Sequence, residues 1–150
     1  MATKRILYIE DNFQNRRLVK KLLRLHGYDM IEAEDGLQGI AVAARERPDL
    51  ILMDINLPGI DGMEATTRLK SSSSELSDIP IIAVTANAMR GDRERIMEAG
   101  CDSYLQKPID NTRMIEMIRS FIGAGDPMPA PTARGVAQRL PSEPAQTARV

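Results

Sequence analysis

The sequence has no tryptophan, one histidine, one cysteine, and only three tyrosines and two phenylalanines among its 150 residues. So few aromatics leave little material for platforms that stack bases or sugars. Cys101 has no second cysteine to pair with, which excludes an internal disulfide scaffold and suits a reducing compartment. Neither sign of charge is in excess, since 20 Lys and Arg stand against 21 Asp and Glu for a net charge of -1. Neutralising a phosphate backbone calls for a basic surplus, so no nucleic acid partner is expected. Long apolar runs are missing too. The start, Met1 to Arg5, leads into only Ile6 to Ile9, too short for the core of a signal peptide. No stretch approaches the ~20 apolar residues that span a bilayer. A cytoplasmic protein without membrane insertion is expected.

What is present is enough for one domain. Apolar residues make up 43% of the chain, sufficient to build a core at an ordinary domain size. The composition changes after Ile122. Five prolines (127, 129, 131, 141 and 144) and several alanines follow, with few large apolar side chains. Such a segment cannot bury enough surface to offset its ordering entropy. Residues 3–122 are therefore expected to fold, and 123–150 to form a disordered Pro/Ala-rich tail. Arg134, Arg139 and Arg149 against Asp126 and Glu143 make that tail too weakly basic for a nucleic-acid arm.

Within 3–122, short apolar runs alternate with amphipathic stretches. Ile6 to Ile9, Leu50 to Met53 and Ile81 to Val84 are continuously apolar, the pattern of strands covered on both faces. Asp29 to Ala33 and Ser103 to Gln106 are weaker strand candidates. Leu18, Val19, Leu22, Leu23 and Leu25 recur at helical spacing, as do Leu37, Ile40, Ala41 and Ala44, and Met114, Ile115, Ile118, Phe121 and Ile122. Asp35 with Gln38 and Asp61 with Glu64 resemble capping boxes. Gly27, Gly100 and Gly123 stand where helices end, and Pro48 closes the second helix. The order is strand then helix, five times over. It predicts right-handed crossovers and a five-stranded, doubly wound parallel sheet with helices on both faces.

Chemistry in such sheets gathers beyond the carboxyl ends of the strands. Strand one ends in Glu10 and Asp11, strand three in Asp54, strand four in Thr85 and Ala86, and strand five in Lys107 and Pro108. If the central strands are neighbours, three carboxylates, a hydroxyl and an ammonium converge. Two carboxylates about 4 Å apart repel by roughly 4 kcal/mol at an effective dielectric of 20. One lysine cannot neutralise three of them, so a hard divalent cation with oxygen ligands, Mg2+, is the simplest resolution. With two carboxylates on the cation, the third can attack phosphorus, as aspartyl-phosphate chemistry requires.

Four blocks carry a resemblance: Tyr8 to Asn12, Leu52 to Gly62, Val84 to Ala86, and Lys107-Pro108. In this order and spacing they resemble the receiver domain of two-component response regulators, most of all the single-domain cell-division type. The resemblance covers the whole folded part and implies a flavodoxin-like (βα)5 fold. It implies Asp54 as phosphoacceptor, Mg2+ held by Glu10, Asp11, Asp54 and the backbone carbonyl of Asn56, and Lys107 paired with the phosphoryl oxygens. Thr85 and Tyr104 match the switch pair, and the small Ala86 leaves room for the phosphoryl group. Asn56 and Asn87 occupy positions that tune phosphate lifetime in the family. The implied donor is a phosphohistidine on a histidine kinase or a histidine phosphotransfer protein. The implied output is a downstream protein reading the surface of helix four, strand five and helix five, about 89–122, since no output domain is recognised after 122. Tyr8 and the proline-rich tail depart from the family pattern.

Plainer readings compete at single positions. Asp61 reads as a helix cap, and Tyr104 alone would read as packing against the last helix. His26, beside Gly27, suits the dipole of a helix end and is no catalytic residue, which excludes a histidine kinase. Cys101 reads as a small packing residue, and Arg90, Arg93 and Arg95 among Asp92, Glu94 and Glu98 as a solvated face. Ser71 to Ser74 reads as a mobile loop. A phosphatase of the haloacid-dehalogenase type would need an acid two residues after its nucleophile, where this chain has Asn56. A flavodoxin-like cofactor carrier would need a Ser/Thr-rich phosphate loop after strand one, and none is present. A receiver detached from a hybrid kinase remains compatible with the same residues.

Overall fold

Three strands that are apolar on both faces set the layout. In the computed structural model, which describes residues 3–86 and 88–125, five parallel strands form one sheet. They are β1 (Arg5–Ile9), β2 (Asp29–Ala33), β3 (Leu50–Asp54), β4 (Ile81–Thr85) and β5 (Ser103–Gln106), in the order β2-β1-β3-β4-β5. Every residue of β3 and β4 is buried, as their unbroken apolar runs predict. β2 and β5 lie at the edges and are only partly covered, which explains their weaker sequence signal. The fold is flavodoxin-like and doubly wound. Asn87 and the stretch from 126 onward, with nearly all of the expected tail, lie outside the described residues.

Among the described residues, six α-helices follow the strands: α1 (Phe13–Leu25), α2 (Gly36–Glu46), α3 (Gly62–Lys70), α4 (Ser74–Ser77), α5 (Arg93–Ala99) and α6 (Asn111–Ile122). One apolar cluster joins Tyr8, Leu52 and Leu105 to Val19 and Leu23 of α1 and Met114 and Ile118 of α6. The other joins Leu7, Ile9, Ile51 and Met53 to α2, α3 and Ile96 of α5. Burying one such Leu or Ile contributes roughly 1.5–3 kcal/mol. Among the described residues, no helix is long and apolar enough to cross a membrane.

The caps at Asp35 and Asp61 behave as the sequence predicts, and Asp110 adds a third. Asp35 accepts from the Gln38 amide at 2.8 Å, Asp61 from Glu64 at 2.9 Å, and Asp110 from Arg113 at 3.0 Å. Gly27 takes the left-handed conformation, φ 86°, just beyond α1. Two punctuation marks differ from expectation. The residue that turns the chain after α2 is Arg47, at φ 49°, with Pro48 following it. The serine run is no plain loop, because Ser73 caps the short α4 and the Ser72 hydroxyl bonds back to the Arg68 carbonyl at 2.8 Å. The added α4 shifts the numbering, so the expected helix four, strand five and helix five are α5, β5 and α6 here.

The chain keeps contact with the domain past α6. The Lys4 ammonium donates to the Ile122 carbonyl, and the Tyr28 hydroxyl donates to the Gly123 carbonyl at 2.7 Å. Gly125 lies so close to the turn after α1 that a Cβ there would sit 2.7 Å from the Gly27 carbonyl oxygen. These contacts are at the amino ends of the strands.

Candidate functional site

The carboxyl ends of β1 and β3 are neighbours, with Ile9 paired to Met53. This register places Glu10 beside Asp54, both almost wholly buried at 1% and 2% exposure, while Asp11 faces solvent. One carboxylate oxygen from each of Glu10, Asp11 and Asp54 lies within 4.8 Å of the other two. Asp54 Oδ1 accepts from the Asn56 backbone N–H at 3.0 Å, which fixes its carboxylate as the chain leaves β3. Asp54 Oδ2 pairs with Lys107 Nζ at 3.1 Å, and the same ammonium is 3.5 Å from Glu10 Oε1.

Lys107 reaches the cluster because β5 ends beside β4, where its backbone N–H donates to the Thr85 carbonyl at 2.8 Å. The bond from Lys107 to Pro108 is cis. Burial works against the ammonium, but the hydrogen bond and charge of Asp54, with Glu10 behind it, outweigh that and push the lysine above its ordinary pKa. Even so, one charge faces three acids. A hard cation with oxygen ligands fits the remaining donors, because all three are carboxylates and one of them opens to water. Beside them is a cleft of about 540 Å3 lined by Asp11, Asn56, Pro58, Asp61 and Asp92 among others. Asp61 thus both caps α3 and borders the cleft.

Gly62 explains how α3 can start against this site. A Cβ there would lie 2.8 Å from the Ile55 Cα and clash with the Asp54 carbonyl, so only glycine lets the helix begin this close. Thr85 ends β4, next to Asp54, and is fully buried. Its hydroxyl donates to Asp92 Oδ2 at 3.4 Å. Tyr104 is not in the acid cluster. It lies on β5 opposite Ala83, half-buried, with the Arg93 guanidinium over its ring. Ala86 is exposed just beyond the cluster, and Asn87 lies outside the described residues.

Several neighbours of the site have contacts that the sequence reading does not assign. Tyr8 donates its hydroxyl to Glu10 Oε1 at 3.1 Å, and Asn15 adds an amide at 3.4 Å. Burial pushes the Tyr8 phenol well above its usual pKa, with the charge of Glu10 adding to the effect. Arg16, buried on α1, donates to the Glu10 carbonyl at 2.7 Å and to Glu32 at 2.9 Å. A signal for it existed, since Arg16 precedes Val19 and Leu23 by three and seven residues and shares their inward face. Asp92 closes a π-helical turn, Ala88–Asp92, that no periodicity announces. Cys101 is a packing residue whose sulfur meets the Thr66 hydroxyl at 3.6 Å, and burial pushes its thiol pKa up.

The comparisons with known proteins agree with this geometry. A family profile described as the response regulator receiver domain matches residues 6–119. The polar-differentiation response regulator DivK of Brucella anthropi is 48% identical over 120 residues, covering 80% of this chain and 97% of the relative. Its counterpart in Brucella ovis is 47% identical over 121 residues, covering 81% and 98%. Among solved structures, the receiver domain of a Pseudomonas aeruginosa sensor histidine kinase is similar at 39% identity and a TM-score of 0.75, over 81% of this chain and 98% of that one. That structure holds a magnesium ion coordinated in its active site cleft. The Vibrio cholerae chemotaxis protein CheY4 has a TM-score of 0.75 at 24% identity, over 80% and 99%, and shares the fold.

Proposed function

The chain belongs to the response regulator receiver family of bacterial two-component signal transduction, and on that footing we propose that Asp54 accepts a phosphoryl group from a phosphohistidine. The donor is a histidine kinase or a histidine phosphotransfer protein. An Asp54 carboxylate oxygen bonds to phosphorus, the P–N bond to the imidazole breaks, and the leaving ring keeps the electron pair and takes up a proton. Lys107, already 3.1 Å from Asp54, pairs with the phosphoryl oxygens. The observation that supports this reading best is a buried nucleophilic carboxylate held between that ammonium and two further acids.

Glu10, Asp11 and Asp54, with the Asn56 backbone carbonyl, would hold Mg2+. The cation supplies neutralisation of charge on the phosphoryl oxygens. Thr85 and Tyr104 form the switch, and the α5-β5-α6 face is where a downstream protein reads it. The protein is a signalling receiver that assists its own phosphorylation and dephosphorylation, and no conventional enzyme. It works in the cytoplasm without nucleic acid. The domain expected at 3–122, extended by the contacts of Gly123 and Gly125, carries all of this.

The test is chemical. With Mg2+ and acetyl phosphate, intact-mass spectrometry is expected to show one added phosphoryl group, lost in Asp54→Asn and on chelation of the metal. Labelling that persists in Asp54→Asn, or that ignores chelation, overturns the assignment.

A further inference from the structure

Tyr8 stands on the central strand β1 with 1% of its surface exposed, its ring inside the apolar cluster formed with α1 and α6. Two residues on, just past the end of β1, Glu10 still donates its backbone N–H to the Ala33 carbonyl at 3.0 Å, so the strand alternation carries on and both side chains point to one face. A buried hydroxyl in apolar surroundings is costly unless it finds an acceptor. Here the phenol donates to Glu10 Oε1 at 3.1 Å.

The two oxygens of Glu10 are unequally occupied. Oε1 takes the Tyr8 hydroxyl at 3.1 Å, the Asn15 amide at 3.4 Å and Lys107 at 3.5 Å. Among the described residues, Oε2 takes the Asn12 backbone N–H alone, at 3.1 Å. The phenol is the nearest donor to Oε1, ahead of the lysine. Lys107 stands closer to Asp54, at 3.1 Å, than to Glu10. A phenylalanine would fill the same space, so packing alone does not call for the hydroxyl.

We propose that Tyr8 is a positioning residue of the acid cluster: its hydroxyl commits Glu10 Oε1 to the protein, leaves Oε2 for the cation, and keeps Lys107 on Asp54. This inference rests on Glu10 belonging to a Mg2+ site, as read above. Without the hydroxyl, Oε1 keeps only its two longer bonds and draws Lys107 toward itself. A positive charge then moves closer to the place of the cation, and Asp54 loses part of its pairing.

Calorimetric titration with Mg2+ alone, on the full chain, tests this. Tyr8→Phe is expected to weaken Mg2+ binding about three- to tenfold, the size of one ordinary net hydrogen bond. Ile6→Val removes a methylene from the same face of β1 and is expected to leave Mg2+ binding unchanged at a comparable loss of stability. In a Lys107→Met background the effect of Tyr8→Phe is expected to shrink below about twofold, because the competing ammonium is gone. Should Tyr8→Phe fail to fold, the ring resonances of wild-type Tyr8 give the readout, and they are expected to shift with the same midpoint as Mg2+ uptake. Equal affinities in wild type and Tyr8→Phe, an equal loss in Ile6→Val, an undiminished effect in the Lys107→Met background, or silent Tyr8 resonances would each overturn the role of Tyr8 while leaving the metal site intact. A wild-type protein that takes up no Mg2+ overturns the site reading itself.

Discussion

Arg93, the first residue of α5, holds its guanidinium 5.5 Å from the centre of the Tyr104 ring on β5. The contact ties α5, the helix after β4, to the ring proposed to act in the switch. At a half-buried site it contributes roughly 0.5–1 kcal/mol. Arg93→Glu is expected to change the affinity for a downstream partner several-fold and to leave phosphorylation by acetyl phosphate unaltered. Paired binding and labelling assays check this, and an equal change in both contradicts a role confined to the reading surface.

Thr85 offers its hydroxyl to Asp92 in the unphosphorylated chain. A phosphoryl group on Asp54 presents new anionic acceptors at the neighbouring strand end. If Thr85 turns to them, α5 and its preceding turn are released, and two surface states exchange in population. Thr85→Ala is therefore expected to accept phosphate almost normally and to lose most of the phosphorylation-dependent gain in partner affinity. Titrations with and without beryllofluoride measure that gain. Its full retention would require coupling by another route.

Gly62 leaves no room for a methyl group against the Asp54 carbonyl and Ile55. Gly62→Ala must push α3 away from β3, an overpacking that costs about 1–3 kcal/mol. Urea unfolding is expected to show this loss, together with slower labelling of Asp54 in the fraction that remains folded. Unchanged stability would mean that α3 shifts freely.

Glu32 on β2 faces Arg16 and Lys20 of α1 at 2.9 and 3.3 Å. Partial burial pushes its carboxyl up, but the hydrogen bonds from Arg16 and Lys20 prevail and hold its pKa below the usual value. A folded pKa below the unfolded one adds stability above the ordinary carboxylate range, and that stability is lost as pH falls through the folded value. Glu32→Gln is expected to cost roughly 1 kcal/mol at neutral pH. The gap to wild type should close as the pH drops below about 4–5. A gap that stays constant into acid would assign the loss to packing.

The sequence reveals the parts of this protein that depend on local pattern. β1, β3 and β4 are legible because a strand covered on both faces must be apolar throughout, and Asp54 because it directly follows such a run, whereas Lys107 follows the weak edge strand β5 and stands out only through the Lys107-Pro108 block. Pairings made across elements are hidden. Nothing local tells that Arg16 will bridge to Glu32 or that Thr85 will meet Asp92, because each partner is chosen by how the segments after the strands settle on the sheet. The π-helical turn at Ala88–Asp92 and the short α4 escape as well, since neither is long enough to show a period.

Gly125, seated on the turn after α1, gives the molecule two separate ends. The acid cluster is at the far side of the sheet, one strand length or roughly 17 Å away, with α1 running about 20 Å between the two levels. The last described residue, Gly125, therefore lies at the pole opposite the chemistry. A fluorescent label on the turn after α1, beside Gly125, would occupy one pole while a donor approaches the other, so labelling and phosphorylation need not compete for space.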